Sequence, residues 1–366
     1  MAVAWSSHPD AATATGEVAG AIIEALDGSA PTLLWVAATP GYLPSFADIV
    51  SGLRAVLRPG LTIGSTVRAV LGRGSVEPSA PVGALAVGAY TTSGADLTPR
   101  RISTGSNPPP EPTECRIAFA ADGSTLPAGS PTGTVVFAAA TGRRGRPGLV
   151  ALDDEVSAVG VVAIDIGALA SPRIDVVPAL VPLGPELTVT DARGPALRGL
   201  GGRAPAALVA TALGLEGPVG PDLTDRLLVG IVDGPGPEPE IGDLQTLRVL
   251  GSDPASGTFT VERDIAVGDG VRLLLHDPGA AHPAIAATTS STDRHTLLAA
   301  GPDVAVAGSD DPVSAITAAG AAPGVIGAQY SALTVSVNGT TARTRHAFVM
   351  SSFATDRETG RPAGAT

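Results

Sequence analysis

The sequence predicts a mixed α/β protein with α+β character: two domains of layered sheets with flanking helices, built from strand-loop-strand pseudo-repeats. Three observations carry that expectation. Short continuous apolar runs bounded by Gly and Pro suit strands buried on both faces, and stretches of helical periodicity separate some of them. Residues 61–90, LTIGSTVRAVLGRGSVEPSAPVGALAVGAY, have weaker counterparts starting near Val135 and near Val325. In each, an apolar run breaks at small residues and a polar loop returns into a strand about twenty residues on, as a reused supersecondary unit would. Finally, 366 residues exceed what one hydrophobic core serves, so two domains are expected.

Composition narrows the function classes. The chain is 44% hydrophobic but only 3% aromatic, so its core must be packed from Ala, Val, Leu and Ile, and its Gly 46 and Pro 33 imply many turns. The net charge is -12 and there is no lysine, so all 23 basic residues are arginine. That excludes Schiff-base lysines, a Walker A lysine and Ser-Lys dyads, and an acidic chain is a poor partner for nucleic acid. Cys115 is the single cysteine, which excludes an internal disulfide and a cysteine-based zinc site. The opening MAVAWSSHPD lacks the basic region of a signal peptide, and no apolar run reaches about eighteen residues. A cytoplasmic protein without membrane insertion is expected.

In chain order, residues 9–27 read as a helix with Pro9 in the first turn, Val18, Ile22, Ala25 and Leu26 on one face and Gly28 as the stop. This N-terminal helix, within residues 1–30, should pack on domain one. A buried strand follows at 33–38, then a helix at 45–57 with Ser45 as N-cap and Phe46, Ile49, Val50, Leu53 and Leu57 inward, then a strand from 61 parallel to the first. Residues 104–114, TGSNPPPEPTE, form a linker, because three successive prolines suit neither helix nor central strand. Strands are expected at 115–120, 134–140, 159–166 and 173–181, closing domain one (31–183). Domain two (184–355) then carries a strand at 187–190, a turn at 191–194, a helix at 204–213 and a strand at 227–232 entering the loop GPGPEPEIGD. Strands at 247–252, 258–261 and 271–276 read as an antiparallel meander, a helix starts at Asp310 and stops at Gly320, and 356–366 is a tail.

Three segments, in order, resemble the FIST family, which pairs an N-terminal with a C-terminal FIST domain. They are LLWVAATPGY followed by LTIGSTVRAVLGRGSVE; PLGPELTVTDARGPALRGLGGRAPAAL; and LLVGIVDG with LRVLGSDPASGTFTVERDIAVGDGVRLLLHDPGAA. The resemblance covers about residues 31–353. It implies a sensory protein that binds a small ligand, such as an amino acid or another small carboxylate, and, with no output segment of its own, signals through a separate protein partner. Ser65 stands where many members carry cysteine, Ala332-Leu333 replaces a Gly-Glu pair, and a C-terminal Phe-x-Cys-x-x-Arg-Gly element is reduced to Ser291 and Arg294. His346 lies near the family's terminal histidine.

Candidate ligand contacts follow from both readings. Gly64, Ser65 and Thr66 can offer backbone N–H groups and hydroxyls to an anion, or simply form a turn. Arginines in the loop of each copy, Arg68 and Arg73 beside Gly72, Arg143, Arg144 and Arg146, and Arg343 and Arg345, can clamp a carboxylate if the loops converge. Tyr330 and His346 complete the ligand-binding set. No cofactor or catalytic residue is expected. His276, Asp277, His282, Asp293 and His295 match no metal-site spacing, and Asp153-Asp154-Glu155 suits a solvated hairpin turn. Two rivals remain: a structural or scaffold protein that keeps the FIST fold with a degenerate pocket, and a hydrolase using Ser65 or Ser291 with His346.

Overall fold

The computed structural model describes residues 2–71, 83–91, 97–102, 115–121, 134–143, 145–167, 173–232, 244–277, 280, 294–300, 325–330, 332–337, 340–343 and 347–354. The expected linker at 104–114, the acidic loop, the helix at 310–320 and the tail lie outside the described residues. The architecture is mixed α and β, dominated by strands, and the chain divides into two compact units. One comprises Met1–Val177 with His282–Thr366, the other Pro178–Ala281.

The elements run as follows. β1 (Ala2–Ser6) leads into α1 (Ala11–Ala25), then β2 (Leu33–Ala38), a 3-10 turn (Pro40–Ser45), α2 (Phe46–Leu57), β3 (Leu61–Thr66), β4 (Ala69–Leu71), β5 (Leu85–Tyr90) and β6 (Leu97–Ile102). Next come β7 (Cys115–Ala120), β8 (Thr134–Ala139), β9 (Val150–Leu152), β10 (Glu155–Ser157), β11 (Val161–Ile166) and β12 (Arg173–Pro178). The second unit holds β13 (Leu180–Pro182), β14 (Leu187–Arg193), β15 (Ala196–Leu200), α3 (Pro205–Leu213), α4 (Pro221–Thr224), β16 (Leu227–Val232), β17 (Gln245–Ser252), β18 (Phe259–Val261) and β19 (Gly270–His276). β20 (Arg294–Ala300), β21 (Val325–Gln329), β22 (Ala332–Val337), β23 (Thr340–Arg343) and β24 (Ala347–Ala354) return to the first unit.

Three sheets of the first unit share one topology. Their orders are β1-β5-β2-β3-β9-β10, β6-β11-β7-β8-β22-β23 and β12-β24-β20-β21-β4. In each, a strand pairs parallel with the next (β2 with β3, β7 with β8, β20 with β21), and a return strand lies antiparallel on the first. The strand after the parallel pair leaves its own sheet: β4 joins β21, β9 joins β3 and β22 joins β8. The three similar stretches of sequence are thus three repeats that exchange strands in a ring. This is why the division does not fall in a single cut near residue 183. The C-terminal repeat supplies edges that the first two cannot close alone.

Alternation along the parallel strands builds two cores from one sheet. Trp35 and Ala37, and Leu61 and Ile63, face a core shared with Ile117, Phe119, Ala138, Ile164, Ala328 and Tyr330 of the other repeats. Leu34, Val36 and Ala38 face the opposite way, onto Val18 and Ile22 of α1 and Phe46, Ile49 and Leu53 of α2. α1 begins two residues beyond Pro9, at Ala11, because Asp10 caps it, accepting the Thr13 N–H at 2.7 Å, and Ala25 is exposed rather than inward. Ser45 makes no side-chain cap, since the 3-10 turn runs straight into α2.

In the second unit, β14, β15, β18, β17, β16 and β19 close into an antiparallel barrel around Val189, Leu197, Val229, Phe259 and Leu273. The expected meander is therefore corrected: β18 pairs with β15, and β19 turns back to β16, so that no edge is left between β16 and β19. The expected turn at 191–194 is also displaced, because β14 runs on to Arg193 and the chain reverses at Gly194, φ +57°.

Candidate functional site

β3 ends at the junction of two repeats, and Thr66 is what joins them. Its N–H donates to Leu149 O at 2.9 Å and its carbonyl accepts from Thr141 N at 2.8 Å. Its hydroxyl donates to Thr141 O at 2.8 Å and accepts from Leu149 N at 2.9 Å. Val67 N–H donates to Ala38 O at 2.9 Å, and Gly64 and Ser65 are paired in the sheet with β2 on one side and β9 on the other. The N–H groups of Thr66 and Val67 are therefore spent on sheet and loop rather than turned toward an anion.

The segment that Thr66 holds is a tight hairpin. Arg143 N–H donates to Arg146 O at 3.0 Å and Arg146 N–H to Arg143 O at 2.7 Å, with Gly145 at φ +75° between them. A Cβ at Gly142 would sit 2.3 Å from Arg146 O, so this bend requires glycine. Arg143 and Arg146 are exposed, and so is Arg68, two residues past Thr66. The loops of the first and second repeats thus meet at one clasp. Thr141 Oγ1 is buried beside it with no protein hydrogen-bond partner. Gly72, Arg73, Arg144, Arg345 and His346 lie outside the described residues, as do Ser291, His282 and Asp293. Arg343 ends β23, on the same sheet as β8.

Ser65 and Tyr330 lie together, but inside. Ser65 is 0% exposed and Tyr330 1%, and the Tyr330 ring stacks on Phe119 with centroids 5.7 Å apart and planes at 24°. In register, Ser65, Ala138 and Ala328 occupy the same place in the three repeats, and Val67, Ala140 and Tyr330 the next inward place. The common centre is filled by side chains. Burial pushes the Tyr330 hydroxyl well above the usual phenol range, an effect that nearby Ser65 and Trp35 partly offset. Even so, Trp35 Nε1, Ser65 Oγ and Tyr330 OH make no hydrogen bond of standard geometry with protein atoms. A Ser65 nucleophile sealed from solvent has no route to a substrate.

Thr141 belongs to no motif, and Trp35 lies in the LLWVAATPGY segment without a role assigned to it. The available signal was parity: Trp35, like Ser65, falls on the inward-facing set of its strand. Elsewhere, Asp153 and Asp154 form the turn between β9 and β10, where Arg54 of α2 reaches both at 2.7 Å and also donates to Thr62 Oγ1 at 2.9 Å. His276 is buried in β19. Among the described residues no group of three metal-capable side chains converges, and no helix is long and apolar enough to cross a membrane.

No family model matches the sequence. The chain is 26% identical over 304 residues to an uncharacterized protein of Mycobacterium bovis, covering 77% of each. It is 27% identical over 302 residues to an uncharacterized protein of Mycobacterium tuberculosis, covering 77% of this chain and 78% of the relative.

Proposed function

We propose that this is a non-enzymatic, cytoplasmic protein of FIST type that binds a small carboxylate, an amino acid or a related acid, at the exposed arginine loops and reports it to a separate partner. The observation that supports this reading is the Thr66 clasp, which fastens the Arg143–Arg146 hairpin of the second repeat beside the strand leading to Arg68 of the first. In a lysine-free chain of charge -12, exposed guanidinium groups from two repeats at one junction suit a bidentate carboxylate. A charge-assisted hydrogen bond to such a ligand contributes about 1.5–3 kcal/mol. The ligand rests on the rim, and the packed centre at Ser65 and Tyr330 supports it from below.

The filled centre also favours a second reading, a scaffold whose pocket has been replaced by core. Thermal-shift and calorimetric titration with a panel of amino acids and small organic acids separates the two. The ligand reading expects one class to bind near micromolar and Arg143→Ala to weaken it by about tenfold to a hundredfold. Silence across the panel at concentrations a hundredfold above micromolar favours the scaffold.

A further inference from the structure

β1 and β2 each run antiparallel to β5, so they point the same way, and the helices that follow them, α1 and α2, start at the same end of the sheet. The carboxyl ends of strands are where open α/β sheets collect ligands. A groove of about 540 Å³ lies there, between α1, α2 and the 3-10 turn that precedes α2. Its volume is in the range of small-molecule sites. Ala11, Pro44 and Ile49 give it an apolar lining, and Asp10 and Asp48 set one carboxylate at the start of each helix. Tyr42, only 3% exposed, donates its hydroxyl to His8 O. That bond ties the segment before α1 to the turn before α2, so both walls are fixed in advance of any ligand.

The groove has one sign of charge. Among the described residues no basic side chain lines it. Asp10 accepts the Thr13 N–H at 2.7 Å and the Thr13 hydroxyl at 2.8 Å, bonds that hold its carboxyl below the usual carboxylate range, and Asp48 is exposed in the first turn of α2. Burial raises the Tyr42 hydroxyl, and the negative charges of Glu17 and Asp10 raise it further, which marks the same field at the groove floor. Each helix start already carries its own acid, so an anion gains little there and a cation is favoured. We propose that this groove binds a small aliphatic diamine, with one ammonium group at Asp10, the other at Asp48 and the methylene chain along Ala11 and Ile49. An ammonium group only donates and a carboxylate only accepts, so each end is matched. A lysine-free chain has no ammonium side chain of its own to fill these places. The site is separate from the arginine loops and does not depend on a carboxylate binding there.

Calorimetric titration of the full-length protein with putrescine, at fixed ionic strength, tests this. Binding is expected on the order of 0.1 mM, which for a ligand of about six heavy atoms stays within the ligand-efficiency ceiling. In the wild type, n-butylamine, with a single ammonium group, should bind roughly tenfold more weakly. Asp10→Asn and Asp48→Asn should each weaken putrescine by about tenfold. Asparagine caps a helix as well as aspartate does, so Asp10→Asn keeps α1, and thermal melts check that both variants are folded. Asp222→Asn, which removes an exposed carboxylate from α4, should leave the affinity unchanged. No binding at about millimolar putrescine, equal affinity for n-butylamine, wild-type affinity in the Asp10→Asn/Asp48→Asn double variant, or an equal loss in Asp222→Asn would each overturn the proposal. The comparison of the two amines on the wild type decides the matter even where a variant fails to fold.

Discussion

Thr66 shows how much one side chain can do at a repeat junction. Its hydroxyl both donates and accepts across to the second repeat, with backbone bonds on either side, so the clasp needs a hydroxyl and not merely a β-branched shape. Thr66→Val keeps the shape and leaves Leu149 N–H and Thr141 O without that partner. It is expected to cost about 1–3 kcal/mol in denaturant unfolding, whereas Thr66→Ser should cost less. Equal losses for Val and Ser would mean that the hydroxyl is not what matters. Cys115 gives a pH signature at the same scale. Burial, with Asp165 adding to it, pushes its thiol from 9.0 up to about 12. Below pH 9 the folded and unfolded chains both keep the proton. Between 9 and about 12 only the unfolded chain loses it, so stability falls as pH rises, by about 1.4 kcal/mol per pH unit from this group. Alkaline unfolding of Cys115→Ala should show a shallower slope over that window, and an unchanged slope would contradict the assignment.

At the scale of elements, the exchanged strands carry the architecture. β4 has three residues and among the described residues pairs with β21, more than 250 positions away by their residue numbers, and β22 lies almost 200 positions beyond its partner β8. A chain ending at residue 281 keeps β4 but lacks its partner β21, and keeps β8 with β7 but lacks β22 on its other side. It should lose the cooperative unfolding of the first unit, while the barrel Pro178–Ala281 keeps its own hydrogen-bond closure. Full retention of both transitions would show that the exchange is dispensable. The same feature marks the limit of reading elements from sequence. Parallel strands such as β2 and β3 were legible because double-sided burial leaves continuous apolar runs, and α2 because Phe46, Ile49, Val50, Leu53 and Leu57 recur on one face. β4, β9 and β10 were not legible. Three-residue strands have too little periodicity, and β4 and β9 pair with strands of another repeat. The similarity of the three stretches could be read locally, but the ring of exchanges could not.

At the scale of the whole molecule, the candidate site divides into a sealed centre and an exposed rim. Ser65 and Tyr330 could be singled out from position in the repeats, but their burial depended on which residues the other repeats set opposite them. There, Ala138 and Ala328 take the places equivalent to Ser65, and Phe119 backs Tyr330. Arg68 and Arg143 could be singled out by type, and their junction became visible only through the hydrogen bonds of Thr66. The proposed function places ligand recognition on the rim and asks only packing of the centre. The most direct measurement is calorimetric titration of the acid panel into the wild type, the Arg68→Ala/Arg143→Ala double variant and Ser65→Ala. The account predicts micromolar binding of one carboxylate class by the wild type, a loss of about a hundredfold in the arginine variant, and wild-type affinity in Ser65→Ala. Binding that survives loss of both arginines but disappears in Ser65→Ala would contradict it.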